Sequence, residues 1–286
     1  MKEKQYLAVS PHGFHKIAFT EWGDAHNPRV VICVHGLTRN SRDFDDLARA
    51  LENDYRVICP DVIGRGKSEW LTHKADYGYP LYVSQMSALI AHVGAESIDW
   101  IGTSMGGLIG MMIASLPGNP IRRMVMNDVG AFVPKASLER IGLYVGKDPA
   151  FDDLGGLEAY IRKIAVSFGP LTDAQWLHMA NHGHYRDSNG NGKYRLSYDP
   201  AISEPFRGPQ TDVDLWPLWN LVRCPVLVIR GADSDLLLAD TLTQMKRRPL
   251  TESVEFTGVG HAPMLMDPEQ IEPIREFLLR ADTAAT

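Results

Sequence analysis

Gly102-Thr103-Ser104-Met105-Gly106 fits the G-x-S-x-G pattern of a serine nucleophile set on a sharp turn. The run Ile98-Asp99-Trp100-Ile101 before it reads as a strand, and Leu108 to Ala114 after it reads as a helix. Such chemistry needs that context. Small flanking residues let the backbone turn tightly, and the start of a helix favours negative charge developing beside it. The pentapeptide alone matches many unrelated loops, and a serine ahead of a helix commonly serves only as an N-cap. Its meaning depends on partners elsewhere in the chain.

A serine hydroxyl is a weak nucleophile until a base takes its proton. His261 is placed for this among the ten histidines: it lies in Gly258-Val259-Gly260-His261-Ala262-Pro263, after a strand-like run and before a helix-period segment. A carboxylate must orient the imidazole and stabilise its charged form. Asp235, in Gly231-Ala232-Asp233-Ser234-Asp235, is the leading candidate; Asp128, in Asn127-Asp128-Val129-Gly130, and Asp233 are the alternatives. An oxyanion needs two fixed N–H donors, expected from Met105 and from Leu37 in the turn His35-Gly36-Leu37-Thr38. His178, His182 and His184 have a spacing that lets two of them ligate a metal from one helical face. No cysteine or carboxylate cluster accompanies them in the sequence, so they read as surface or pocket lining. Neither a metal nor a cofactor is expected.

The elements that must hold these residues are visible as patterns. Continuous apolar runs at Val30–Val34, Tyr55–Cys59, Ile98–Ile101, Met124–Met126 and Val226–Ile229 suit strands buried on both faces. Phe14–Trp22 alternates weakly, and Glu252–Phe256 alternates like an edge. Helix-period segments lie between them at 44–51, 81–93, 108–116, 241–247 and 271–279. The alternation predicts an α/β fold with a doubly wound, mostly parallel sheet. It stops between residues 131 and 216, where helix-like segments at 157–168 and 173–180 dominate and Asn189-Gly190-Asn191-Gly192 signals a turn. This reads as a mostly helical insertion between two core strands. The tail from Ala281 to Thr286 is expected to fray.

Composition narrows the class. The chain has 286 residues, 44% hydrophobic and 22% charged, enough for one large domain with a sizeable core. A net charge of −6 without a basic block argues against nucleic-acid and anionic-membrane partners, and not against a small neutral substrate. Met1 to Tyr6 lacks the apolar segment of a signal peptide, and no apolar run is long enough to span a bilayer. Cys33, Cys59 and Cys224 read as small hydrophobes in a reducing compartment. A cytoplasmic monomer or homodimer is expected.

Five landmarks in order resemble the serine hydrolases of the α/β-hydrolase fold: His35-Gly36, Asp61-Val62-Ile63-Gly64-Arg65-Gly66-Lys67-Ser68, Gly102 to Gly107, Gly231 to Asp235, and Gly260-His261. The resemblance covers roughly residues 14–130 and 217–280. It implies a hydrolase core formed by residues 1–130 and 217–286, with a helical cap at 131–216 roofing an acyl pocket. Trp176, Trp216, Trp219, Phe206, Leu171 and Met179 are candidates to line that pocket, and Arg162, Lys163 and Arg195 to recognise a substrate carboxylate. One departure stands out. Many members carry the acid three residues after the glycine that ends its strand, and here that position is Ser234 with aspartates on either side. Haloalkane dehalogenases and epoxide hydrolases of this fold carry aspartate as nucleophile, so Ser104 implies acyl transfer to water. The resemblance points to a carboxylesterase acting on small-to-medium soluble esters through an acyl-enzyme on Ser104. The alternatives are hydrolysis of C–C, lactone, thioester or amide bonds by the same residues, or a non-enzymatic small-molecule receptor.

Overall fold

The computed structural model describes residues 1–187 and 192–281, so the turn signal at 189–191 and nearly all of the tail lie outside the described residues. The chain opens with a hairpin of β1 (Lys2–Ser10) and β2 (Gly13–Trp22). Then follow β3 (Val30–Val34), α1 (Asp45–Leu51), β4 (Arg56–Pro60), α2 (Tyr79–Val93), β5 (Ile98–Thr103), α3 (Met105–Ala114) and β6 (Ile121–Asn127). An intervening segment contributes β7 (Phe132–Val133), α4 (Lys135–Gly142), α5 (Leu154–Ile164), α6 (Asp173–His182), β8 (His184–Arg186), β9 (Tyr194–Leu196), β10 (Val213–Asp214) and α7 (Trp216–Trp219). The chain then returns through β11 (Val226–Gly231), α8 (Ala239–Met245), β12 (Thr251–Phe256) and α9 (Pro268–Leu279).

Eight strands form one sheet in the order β1-β2-β4-β3-β5-β6-β11-β12. From β4 to β12 all neighbours are parallel; the β1–β2 hairpin joins antiparallel at one edge. Period-two alternation divides each central strand between two cores. In β3, Val30, Ile32 and Val34 face a layer containing α2 and α3, whereas Val31 and Cys33 face α1 and α9. All five residues are buried, which is why the run reads as continuously apolar. Each such side chain contributes roughly 1.5–3 kcal/mol by leaving water.

The intervening segment lies over the carboxyl ends of the parallel strands. It is less purely helical than its pattern suggests: β7 pairs with β10 and β8 with β9 in short antiparallel ribbons. Its helices have local starts. Asp153 caps α5 by accepting from the Gly156 N–H at 2.8 Å, and Thr172 with Gln175 forms a reciprocal capping box on α6.

Candidate active site

The strand-to-helix turn after β5 holds Ser104 at φ 51° and ψ −115°, a strained conformation for a residue other than glycine. Two glycines make the turn possible. A Cβ on Gly106 would lie 2.0 Å from the Val34 carbonyl oxygen, and one on Gly102 would lie 2.3 Å from the Gly106 backbone. Strand and helix approach so closely that no side chain fits between them. The Ser104 N–H is tied to the Asn127 carbonyl at 2.9 Å, which fixes the turn against the end of β6.

His261 lies on the loop after β12, with Nε2 2.9 Å from Ser104 Oγ. Its Nδ1 faces Asp128 Oδ2 at 2.7 Å. A carboxylate can only accept there, so Nδ1 carries the proton and Nε2 is left to accept from the serine hydroxyl. Asp128 is fully buried at the end of β6 and also at positive φ, 53°. Its carboxylate accepts from the Gly231 N–H at 2.8 Å and from Ser234 Oγ–H at 2.6 Å.

The leading sequence candidate for the acid is therefore displaced. Asp235 is not brought to His261. Its carboxylate is half exposed and pairs with Arg140, 2.5 Å from Nε and 2.9 Å from Nη2. Asp233 is exposed. The reason lies in the register: β6 and β11 are parallel neighbours with Asn127 opposite Ile229. Asp128 thus lies beside the end of β11, where a turn closed by the Ser234 N–H on the Gly231 carbonyl at 2.9 Å brings Ser234 to it. Ser234 stands where many family members carry the acid, and it hydrogen-bonds Asp128.

Met105 opens α3 directly after Ser104, and Leu37 lines the cavity above Ser104. The loop carrying Leu37 is held from two sides. His35 is fully buried; the Val62 N–H donates to its Nε2 at 3.0 Å, so its Nδ1–H donates to the Gly36 carbonyl at 2.7 Å. Burial is the main cause that pushes the His35 pKa down to about 4, so the ring is neutral at pH 7. Arg65, also fully buried, donates from Nε to the Leu37 carbonyl at 2.9 Å. Sequence reading noted neither role; both reside in the His35-Gly36 and Asp61–Ser68 landmarks.

A narrow cavity of about 80 Å³ opens onto Ser104 and His261. Its roof is drawn from the intervening segment, including Ile141, Ile161, Ile164, Phe168 and Tyr198. None of the six expected apolar residues is among its lining. Trp176, Met179 and Trp219 are instead buried in the larger core, with Leu171, Phe206 and Trp216 packed against it. The expected cations do not line it either: Arg162 pairs with Glu158 and Asp173, Arg195 with Asp148 and Asp187, and Lys163 is exposed. Arg39 and Arg140 line it in their place.

The segment also touches the histidine loop. Ser167, in a short 3₁₀ turn, accepts from the Gly260 N–H at 2.7 Å through its carbonyl and donates through Oγ to the His261 carbonyl at 2.6 Å. The histidine cluster is elsewhere. Atoms of His178, His182 and Asp45 that could ligate lie within 4.8 Å of one another. The Arg42 guanidinium already sits on the Asp45 carboxylate and 3.2 Å from His182 Nδ1, and His178 Nε2–H donates to the Arg42 carbonyl at 2.9 Å. His184 donates to the Ala180 carbonyl at 2.8 Å. No helix among the described residues is long and apolar enough to cross a membrane, and the three cysteines are unpaired.

Comparison with known proteins adds to this geometry. The family model described as "Alpha/beta hydrolase family" matches residues 31–274. A 3-hydroxybutyrate-oligomer hydrolase of Cupriavidus necator is 46% identical over 96% of both chains. Among solved structures, a putative hydrolase from Rickettsia typhi superposes with a TM-score of 0.91 at 34% identity, covering 97% of this chain and 99% of that one. An alpha/beta hydrolase from Novosphingobium aromaticivorans does so with 0.87 at 37% identity, covering 98% and 99%. The order of the elements, the sheet and these matches agree: this chain belongs to the alpha/beta hydrolase family.

Proposed function

We propose that this protein is a serine carboxylic-ester hydrolase and that its substrates are short oligoesters of 3-hydroxy acids. The observation that carries the reading is the relay from Asp128 through His261 to Ser104, with contacts of 2.7 and 2.9 Å. The oligoester class is supported by the near full-length similarity to the 3-hydroxybutyrate-oligomer hydrolase. A carboxylesterase needs no metal for this chemistry. Residues 131–216 act as the cap whose narrow, mostly apolar underside admits a slender chain.

Ser104 Oγ attacks the ester carbonyl while His261 Nε2 takes its proton, and Asp128 stabilises the imidazolium that results. The Leu37 and Met105 N–H groups hold the oxyanion at the start of α3, where the helix dipole adds to their effect. His261 protonates the departing alkoxide, then activates water to release the acid.

The test is hydrolysis of a nitrophenyl acetate-to-hexanoate series by the wild type, Ser104→Ala, Asp128→Asn and Asp235→Asn. Ser104→Ala abolishes acyl-enzyme turnover. Asp128→Asn lowers kcat by on the order of 10⁴, the cost of losing the imidazole's orienting carboxylate. Asp235→Asn costs less than about tenfold. A large loss in Asp235→Asn with Asp128→Asn nearly active would overturn the acid assignment, and a wild type inert towards every ester would overturn the reaction.

A further inference from the structure

Two guanidinium groups face the cavity, and they are not equivalent. Arg39 donates to Asp43 from Nε at 2.8 Å and from Nη2 at 2.5 Å, and both partners line the cavity, so the pair offers a ligand little net charge. Arg140, on α4, uses Nε and Nη2 on Asp235, and Asp235 is not among the lining residues. The cavity thus meets the cation but not its counter-ion. The grip is also braced: Ser137 Oγ–H donates to the Asp235 carbonyl at 2.7 Å, and the preceding residue, Ser234, is bonded to Asp128. The bidentate contact fixes the guanidinium plane and takes two of its five N–H donors, while Tyr144 also interacts with Arg140. Tyr144, in the turn that follows α4, also lines the cavity, and Ile141, Ile161 and Ile164 add apolar surface. An oriented cation whose counter-ion lies outside the cavity, in a mostly apolar wall where the other cation is already paired with Asp43, is suited to recognise one carboxylate.

We propose that Arg140, oriented by Asp235 and flanked by Tyr144, is the subsite for a free carboxylate on the substrate, so that acid-terminated hydroxy-acid oligoesters are preferred to neutral esters. The inference rests on the ester-hydrolase reading above. In such an oligomer the free carboxylate belongs to the last unit, whose own hydroxyl is the leaving group of the last ester bond. With that carboxylate on Arg140, the acyl C–O bond of the last ester breaks as the Ser104 Oγ–C bond forms. The serine proton passes through His261 to the departing alkoxide oxygen, and the last unit leaves as a free hydroxy acid. Water then cleaves the acyl-enzyme and returns a chain one unit shorter with a new carboxylate. Units are removed one at a time from the acid end.

The experiment compares kcat/KM for the linear dimer of 3-hydroxybutyrate with that for its methyl ester, in the wild type, Arg140→Gln and Arg140→Lys, each variant checked for folding by its melting temperature. The wild type should favour the acid by about tenfold or more, the weight of one charge-assisted hydrogen bond. Arg140→Gln should bring the ratio close to one through loss on the acid, and Arg140→Lys should keep part of it. A tetramer acetylated on its terminal hydroxyl should release free monomer first. The wild-type ratio and the tetramer products decide the matter even if Arg140→Gln does not fold. A wild-type ratio near one, or equal losses on both substrates in a folded Arg140→Gln, removes the subsite. If nitrophenyl esters are still cleaved, the hydrolase reading survives that failure; if no ester is cleaved, both fall.

Discussion

Asp128 and Ser234 meet 2.6 Å apart at the ends of neighbouring strands, one bearing a carboxylate and the other a hydroxyl. Their proximity makes the two positions interchangeable in principle. Asp128→Asn should lose most activity, and adding Ser234→Asp should restore at least tenfold of it, because the new carboxylate lies within reach of His261 Nδ1. Single-turnover kinetics of the double variant against Asp128→Asn measures this; no recovery in a folded double variant would show that only the β6 position orients the ring. That Ser104 and His261 come together was legible in the sequence because each announces itself locally, by an elbow and by a glycine-bracketed loop. The acid was not, because three aspartates follow strand-like runs and only tertiary register decides which reaches the ring. The one hint was Ser234 standing where an aspartate was expected.

At the scale of elements, the central parallel strands were readable because burial on both faces leaves uninterrupted apolar runs. β1 was not: its first four residues are exposed, and only Tyr6, Ala8 and Ser10 point inward. The two-stranded ribbons were missed because two or three residues carry no periodicity. The close approach of α3 to β3 gives a stringent prediction. Gly106→Ala places a methyl group against the Val34 carbonyl, and either unfolds the turn or costs about 3 kcal/mol or more in urea denaturation, with activity lost alongside. The loop carrying Leu37 gives another. His35 is neutral when folded, with its pKa pushed down to about 4, whereas the unfolded chain titrates near 6.5. Below about pH 6.5 the unfolded state takes up a proton that the folded state refuses until about pH 4. Stability therefore falls across that window, by on the order of 3 kcal/mol from this residue. Half-buried His182, also pushed down to about 4 chiefly by burial, adds in the same direction. Urea midpoints at pH 7 and pH 4.5 measure the drop, and His35→Asn should flatten it.

Over the whole molecule, the loops at the ends of the parallel strands carry Ser104, Asp128 and His261, and the intervening segment supplies much of the cavity wall above them. The fold class was legible from alternating patterns along the chain. The cavity lining was not, because the tryptophans that draw attention in the sequence are buried in or packed against the core, while isoleucines, tyrosines, Phe168 and two arginines line the cavity. The Ser167 clasp joins the two layers at the catalytic loop itself, since its two hydrogen bonds hold Gly260 and His261 from the cap side. Lifting the cap would break those bonds and slacken the base at the same moment. If the segment does lift, openness to solvent and chemical competence would be opposite ends of one equilibrium, and by reciprocity whatever holds the histidine in place would also hold the roof down. A transition-state mimic bonded to Ser104 should therefore slow hydrogen exchange at residues 166–168 as well as at 258–262. Ser167→Ala should loosen that coupling, so that the mimic protects the loop without protecting the cap. Under the proposed function, an enzyme wired this way would expose no working base to passing esters and would become reactive only around a guest it had already enclosed.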